Sequence, residues 1–297
     1  MKSISLIIPI YNAEVFLKDL FKCLDNNKFY NGDEILLVDN GSSDESIRLC
    51  KDYECKHNGL VKCLSYAEKA GSYSARNYAI KQAIGDILVF TDSDCQPSKD
   101  WITYIREKCN KGLVLAGNIT LEIVNHDIWE YYDVYSCLNN EKSIQNSGIA
   151  TANMAVNKED FDKIGLFEER FSGGDYDWSL RAAKGGLKLE YCDLMRVKHP
   201  TRKSFEAVLK KEQRIAYGEG YHACINNHSK ILLWGKYILK IFKIDMNIKY
   251  MNRLKSEGFS LRDRLRFNYY FFVIRINHLK YVLLGFENID ARSLGLK

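Results

Sequence analysis

The chain has 297 residues, 46% hydrophobic and 27% charged, with a formal net charge of +5. This is globular composition, with length for one large domain plus an appendage, and it excludes the non-globular classes. The charge is uneven: from Pro200 onward 19 Lys+Arg stand against 8 Asp+Glu, and before it 24 against 30, so an acidic front and a basic tail imply two different partners, the tail's being anionic lipid or nucleic acid.

SLIIPI (Ser5 to Ile10) is a short apolar run with β-branched residues and predicts a buried strand. Phe16, Leu17, Leu20, Phe21 and Leu24 follow at helical spacing. EILLVD (Glu34 to Asp39) predicts a second buried strand, and GSSDES opens a helix with Ser43 or Asp44 as N-cap. LVKCLSY, from Leu60, suits a third strand. A helix is expected from Ser72 to Ile84, with Ala75, Ala79, Ala83 and Ile84 near one face and Gly85 as its stop. DILVF is a fourth strand and runs into TDSDC, Thr91 to Cys95. Alternating strands and helices predict an α/β fold, a mostly parallel sheet with helices on both faces.

In such sheets ligands sit beyond the carboxyl ends of the strands. Those ends read Pro9-Ile10-Tyr11-Asn12, Asp39-Asn40-Gly41-Ser42 and Asp92-Ser93-Asp94. On an extended backbone Asp92 and Asp94 share a face. Unpaired they repel, and one is expected to hold a proton. Mg²⁺ or Mn²⁺ would remove that conflict. Taken alone, TDSD reads as a turn, and Asp39 and Gly41 also have a reading as turn formers; three polar ends in register make a site. GSYSARNYAI carries Arg76 early in a helix, either paired to solvent or placed where helix dipole and guanidinium together welcome a phosphate.

LVLAGNITLE predicts a strand, IWEYYDVYSCL an aromatic-rich helix and TANMAV (Thr151 to Val156) another strand. Trp129, Tyr131, Tyr132 and Tyr135 either line an acceptor cleft or form core. In FSGGDYDWSLRAAKGG (Phe171 to Gly186) the pair Gly173-Gly174 makes a flexible loop, Asp175 and Asp177 follow, and a helix begins at Trp178. One Asp would suffice as an N-cap; a Gly-Gly pair lets backbone approach a ligand closely. LKLEYC and MRVKHP predict two further strands, the second ending at His199, a metal ligand or a core histidine. The nine cysteines (23, 50, 55, 63, 95, 109, 137, 192 and 224) form no CxxC pair, and the start MKSISLIIPIYN lacks the apolar length of a secretory signal. Reduced cysteines in a cytosolic protein, with no zinc site, are expected.

SKILLWGKYILKIFKIDMNIKY (Ser229 to Tyr250) places Lys236, Lys240 and Lys243 at helical spacing among Leu, Ile, Phe and Trp, the pattern of a helix lying in a membrane interface. FNYYFFVIRINHLKYVLLGF (Phe267 to Phe286) has the length to span a membrane but carries Arg275, Asn277, His278 and Lys280, so a spanning helix is rejected. The alternative is a helical pair packed on the catalytic domain or on another subunit, hence a possible homo-oligomer. No nucleic-acid motif is present, and no nucleic-acid partner is expected.

The ordered set SLIIPIYN, ILLVDNGSSD, ARNYAIKQAIGD, FTDSDCQP, ATANMAV, SGGDYDWSLR and VKHP, over roughly the first 215 residues, resembles the family 2 glycosyltransferases. The resemblance implies the GT-A fold, with a catalytic domain over 1–225 (a nucleotide-sugar half, 1–112, and an acceptor half, 113–225) and a basic amphipathic helical tail over 226–297. It implies a nucleotide-sugar donor, a UDP-sugar, and Mn²⁺ or Mg²⁺ held by Asp92 and Asp94 on its diphosphate. Pro9, Tyr11, Asn12 and Asp39 match positions around base and ribose, with Gly41, Ser93 and the donor-side Arg76 completing the donor set. Asp175 stands at the catalytic base, with Asp177 able to share its role. Gly174 departs from the family, where Glu is common. His199 resembles a metal-ligand histidine found in part of it.

The implied reaction is an inverting displacement onto a hydroxyl of a glycan or lipid-linked acceptor, in bacterial-type surface polysaccharide synthesis. The implied location is cytoplasmic, peripheral on the inner membrane face. A processive polymerase would carry QxxRW, and EQRIAYGEG (Glu212 to Gly220) lacks the tryptophan. A nucleotidyltransferase would carry a Gly-rich basic loop after the first strand, and IPIYNAEV is not one. The non-enzymatic alternative is a degenerate sugar-binding or scaffold subunit.

Overall fold

The computed structural model describes residues 1–136, 139–242, 244–291, 294 and 296. They fall into two compact units: Met1–Glu122, Leu138–Glu169 and Gly174–Pro200 form the first, and Ile123–Cys137, Arg170–Gly173 and Thr201–Lys297 the second. The units interleave in sequence, so the second takes in more than the segment 226–297 expected as a tail.

The first unit runs β1 (Ile4–Ile10), α1 (Glu14–Asp25), β2 (Glu34–Asp39), α2 (Ser46–Lys56), β3 (Val61–Ser65), α3 (Ser72–Ile80), β4 (Ile87–Thr91), β5 (Gln96–Pro97), α4 (Trp101–Lys108) and β6 (Leu113–Glu122). After α5 (Ile128–Ser136), which belongs to the second unit, it continues with α6 (Asn140–Ser143), β7 (Asn153–Asn157), α7 (Lys158–Ile164), α8 (Gly174–Lys184) and β8 (Lys188–Pro200). One sheet takes the order β3-β2-β1-β4-β7-β6-β8-β5. Its first four strands are parallel; β7 runs against β4 and β6, and β5 against β8. The sheet is therefore mixed.

The apolar runs alternate between two cores. Leu6, Ile8, Ile35, Leu37 and Val89 point to the face covered by α1, α2 and α4. Ile7, Leu36, Val38, Leu88 and Phe90 point to the face covered by α3, α7 and α8. A strand buried on both faces has no polar side to show, which is why these strands read as unbroken apolar runs.

Four local expectations are corrected. Helix α3 stops at Ile80, not Ile84, and Gly85 is no helix stop: a Cβ there would lie 2.5 Å from Ser5 N, so the glycine admits β1. Helix α2 has Glu45 at its N-cap, while the Asp44 carboxylate accepts from Ser46 N at 3.0 Å. LKLEYC and MRVKHP form the single strand β8, because both pair with β6. The ladder breaks once, between Gly117 and Asn118, where residues 193–195 of β8 bulge out. Helix α8 begins at Gly174, not Trp178, which puts Asp175 in its first turn.

The second unit is helical: α5 with α9 (Phe205–Ile225), α10 (Lys230–Ile241), α11 (Ile244–Ser256) and α12 (Leu261–Phe286). Trp129, Tyr131 and Tyr132 are buried against Phe267 and Phe271, so the aromatic cluster is core. EQRIAYGEG lies in α9, where Gly220 allows close backbone contact with α12: a Cβ there would lie 1.9 Å from Val282 O. The stretch Ser229 to Tyr250 is two helices, not one, and Lys243 lies outside the described residues. Among the described residues no helix is long and apolar enough to cross a membrane.

Candidate active site

Ile10 pairs with Asp39, so β1 and β2 end at the same edge, while β1–β4 pairing stops at Ile7 and Phe90. The strand order β3-β2-β1-β4 puts the topological switch point between β1 and β4, where sheets of this kind leave a crevice for a ligand. Pro9, with no N–H to give, stands beyond the last β1–β4 pair. Asn12 has a positive φ of 45°; its Oδ1 accepts from Ser43 N at 2.8 Å, and its own N donates to Ser42 Oγ at 3.0 Å. Asp39 is buried and accepts from Gly41 N at 3.1 Å and Ser42 N at 3.3 Å, and Gly41 has φ 82°. Asp39 and Gly41 are thus turn formers whose turn shapes the crevice edge. Tyr11 is exposed beside them.

Asn40 is a residue that the sequence pattern does not single out. Its Nδ2 donates to Tyr66 O at 2.6 Å and Lys69 O at 3.0 Å, and its Oδ1 accepts from Gly71 N at 2.7 Å. It therefore ties the β2 end to the loop that leads into α3.

At the end of β4 ligand atoms of Asp92, Asp94, Cys95 and His199 all lie within 4.8 Å of one another. The register explains the meeting: Gln96 of β5 pairs with Lys198 of β8, which carries His199 back to the acidic turn. Arg76 is 2% exposed and forms an ion pair with Asp92, so it is neither solvent-paired nor free. Asp94 has no such counterweight. Its Oδ1 is buried without a hydrogen-bond partner, and its Oδ2 is 3.5 Å from His199 Nε2. His199 Nδ1 lies 2.7 Å from Pro200 O, which can only accept. The Nδ1 proton is thereby fixed, and in the neutral ring Nε2 keeps its lone pair toward Asp94. Burial, followed by the charges of Asp92 and Asp94, pushes the Cys95 thiol well above its usual range, and Sγ points to Ala152 O at 3.8 Å. Two carboxylates, one of them with a buried oxygen that has no partner, and an imidazole nitrogen suit a hard divalent cation. Ser93 is half-buried between the two aspartates.

Asp175 lies across the same unit. Its Oδ1 accepts from Tyr73 Oη at 2.8 Å and Tyr176 N at 2.9 Å, and its Oδ2 from Thr151 N at 3.3 Å. Gly174 matters here: a Cβ would sit 3.0 Å from the Tyr73 ring and 2.8 Å from Glu168 O. The Tyr73 ring fills space next to the position where the family commonly has Glu. Burial, then the Asp175 charge, raises the Tyr73 hydroxyl pKa, so it stays a donor. Asp177 is turned elsewhere. Two helical positions rotate a side chain by about 200°, and Asp177 Oδ2 pairs with Arg181 Nε at 3.0 Å. It does not share Asp175's surroundings.

The model for the family "Glycosyl transferase family 2" matches residues 5–165. The chain belongs to glycosyl transferase family 2. It is a glycosyltransferase, and its sheet with flanking helices is the GT-A fold. Among curated relatives, Glycosyltransferase AglE of Haloferax volcanii is 30% identical over 222 residues, 73% of this chain and 72% of AglE. Among solved structures, the mannosyltransferase PcManGT from Pyrobaculum calidifontis, in complex with GDP-Man and Mn²⁺, superposes with a TM-score of 0.65 at 13% identity, over 97% of this chain and 88% of that one. Staphylococcus aureus TarS 1-349, in complex with UDP-GlcNAc, gives 0.55 at 18% identity, over 99% and 92%. At these identities the structural likeness is one of fold.

Proposed function

We propose that this family 2 enzyme transfers a sugar from a nucleotide-sugar, a UDP-sugar in the first instance, to a hydroxyl of a glycan or lipid-linked acceptor. It does so with inversion, in bacterial-type surface polysaccharide synthesis, bound peripherally at the cytoplasmic face of a membrane. The observation that carries the reading is the meeting of Asp92, Asp94 and His199 beside Arg76 at the crevice. The solved neighbours hold GDP-Man with Mn²⁺ in one case and UDP-GlcNAc in another, which supports a nucleotide-sugar and a divalent ion without choosing the nucleotide.

Asp92, Asp94 and His199 would hold Mn²⁺ or Mg²⁺, and the ion would offset negative charge on the donor diphosphate. Arg76, already aimed at this edge, exchanges its Asp92 partner for phosphate oxygens as charge develops there. Pro9, Tyr11, Asn12, Asp39 and Gly41 shape the base and ribose side, and Ser93 borders the sugar. Asp175 removes the acceptor hydroxyl proton during attack, a role worth ~100- to 10,000-fold in rate. The Tyr73 hydroxyl and Tyr176 N–H hold its Oδ1 and the Thr151 N–H its Oδ2, so Oδ2, with one donor, is the oxygen to take the proton.

The test is a thermal-shift panel of UDP, GDP, dTDP and CMP, each with Mn²⁺ and with EDTA, followed by nucleotide release from the matching sugars. A shift with one nucleotide only in the presence of metal, and release from its sugar, is expected. Binding without release would overturn the enzymatic step in favour of a scaffold subunit. No shift at all would overturn the metal–diphosphate site.

A further inference from the structure

Helix α10 packs on its unit through a narrow side: Leu233 and Tyr237 are buried, in a cluster with Ala216, Ala223 and Val282. The opposite side of the helix is apolar and uncovered. Ile231, Leu232, Leu239 and Phe242 are 79%, 75%, 73% and 69% exposed. At 100° per residue they fall, with Gly235 and Trp234, on one arc of about 160°. That arc is opposite the packed side. Exposed leucine and phenylalanine in a continuous stripe mark an interaction surface, since scattered apolar residues would not share a face.

The border of the stripe identifies the occupant. Lys236 and Lys240 are exposed on one edge, half-exposed Trp234 lies on the other, and α10 contains no acidic residue. The Lys236 and Lys240 ammonium groups lie 5.3 and 4.3 Å from the Tyr237 ring centroid, at the margin of the packed side, and their flexible stems let them turn from there to a phosphate at the helix edge. Tryptophan favours the boundary between hydrocarbon and headgroups. A second copy docked through this face would set Lys236 and Lys240 against their own equivalents in an isologous contact, like charge on like charge. A second apolar stripe on α12, Leu261, Leu265, Tyr269 and Phe272, is also exposed and is flanked by Arg262 and Arg266.

We infer that α10 is a lipid-binding helix: its Ile231–Phe242 face inserts shallowly into an anionic bilayer surface, with Lys236 and Lys240 on the headgroup phosphates. This deepens the peripheral membrane placement proposed above and names the element responsible. It does not depend on the identity of donor or acceptor.

The experiment is vesicle co-flotation of the full chain with phosphatidylcholine vesicles, with and without about one-third phosphatidylglycerol, at low and high salt. Light scattering on the free protein accompanies it. Wild type is expected to float with the anionic vesicles and to be released progressively by salt. The double variant L232E/L239E should bind at least roughly 10-fold more weakly, and K236E/K240E should fall by a similar factor, each with unchanged nucleotide-induced thermal shift. Exposed positions carry these changes, and circular dichroism checks that the helices persist. Absence of flotation, or flotation undiminished in both variants, would overturn the inference. So would a wild-type dimer that L232E/L239E converts to monomer without affecting flotation, because the stripe would then be covered by another copy. Nucleotide binding lost in wild type would count against the catalytic reading and leave the flotation result standing.

Discussion

Asp92 and Asp94 stand two residues apart in the turn after β4, where Cys95 N donates to Asp92 O at 3.1 Å, yet they hold different positions in the balance between stability and function. Asp92 neutralises a buried guanidinium, while Asp94 keeps a buried oxygen without a partner. A group kept at a cost to the apo protein is a group kept for a ligand. Asp94→Ala is therefore expected to leave apo stability unchanged or to raise it by about 1 kcal/mol and to abolish the metal-dependent nucleotide shift. Asp92→Ala should lose the shift and also lower the apo midpoint, since Arg76 is stranded. Differential scanning fluorimetry with Mn²⁺ and EDTA separates the two. Tyr73→Phe keeps the ring that Gly174 accommodates and removes one donor to Asp175. A fall of roughly 10- to 100-fold in kcat for nucleotide release, with donor KM unchanged, is expected; equal kcat would remove Tyr73 from the site. The aspartate pair is legible in the sequence as two carboxylates closing an apolar strand, but the shared extended face expected of them is not found, because the chain turns from Asp92 to Cys95. Tyr73 is not legible, because its role depends on a side chain that Gly174, about a hundred positions away, does not have.

At the scale of elements, β8 shows what periodicity can and cannot deliver. Its two apolar halves are legible as strand, but the bulge that joins them reads as a gap between strands. Asn153 of β7 organises that bulge: its Nδ2 donates to Asn118 O and Met195 O, each at 2.8 Å, and its Oδ1 accepts from Trp101 Nε1 at 2.9 Å. Asn153→Leu leaves these three groups without partners, at about 1–3 kcal/mol each. Lower stability in urea is expected, together with weaker Mn²⁺-dependent nucleotide binding as His199 loses register.

Helices α9 and α12 are joined by a charged cluster. His278 lies between Glu212, at 3.5 Å, and Glu219, at 3.2 Å. Burial alone would depress the imidazole, but its hydrogen bonds to the two carboxylates hold it up at about 9. Burial would raise Glu219, yet His278 and Tyr237 bring it down to about 2. The histidine's contribution is complete below its ordinary value near 6.5 and is lost as pH rises through about 9. The glutamate's is complete above its ordinary 4.5 and is lost as pH falls through about 2. Urea midpoints should be level between those ordinary values and decline on both sides, and His278→Gln should flatten the alkaline decline.

For the whole molecule, the acidic front and basic tail visible in the sequence correspond in broad terms to two units, but their boundaries are not legible. Segments 123–137 and 170–173 belong with the helices because their aromatic and close-packed contacts lie there, a fact of three-dimensional packing that no composition shift announces. The cluster of Asp92, Asp94 and His199 has a consequence for how the enzyme matures. Asp94 and His199 are brought together by the β5–β8 pairing and, across the sheet, through β7, β6 and β8, whose pairing closes long loops of chain. Such contacts are entropically late. On a ribosome the N-terminal strands, with the turns at the ends of β1 and β2, emerge long before His199 does. Those turns would thus form first, and Asp94 would meet His199 only at the end of sheet assembly, so that closing this cluster marks a complete first unit.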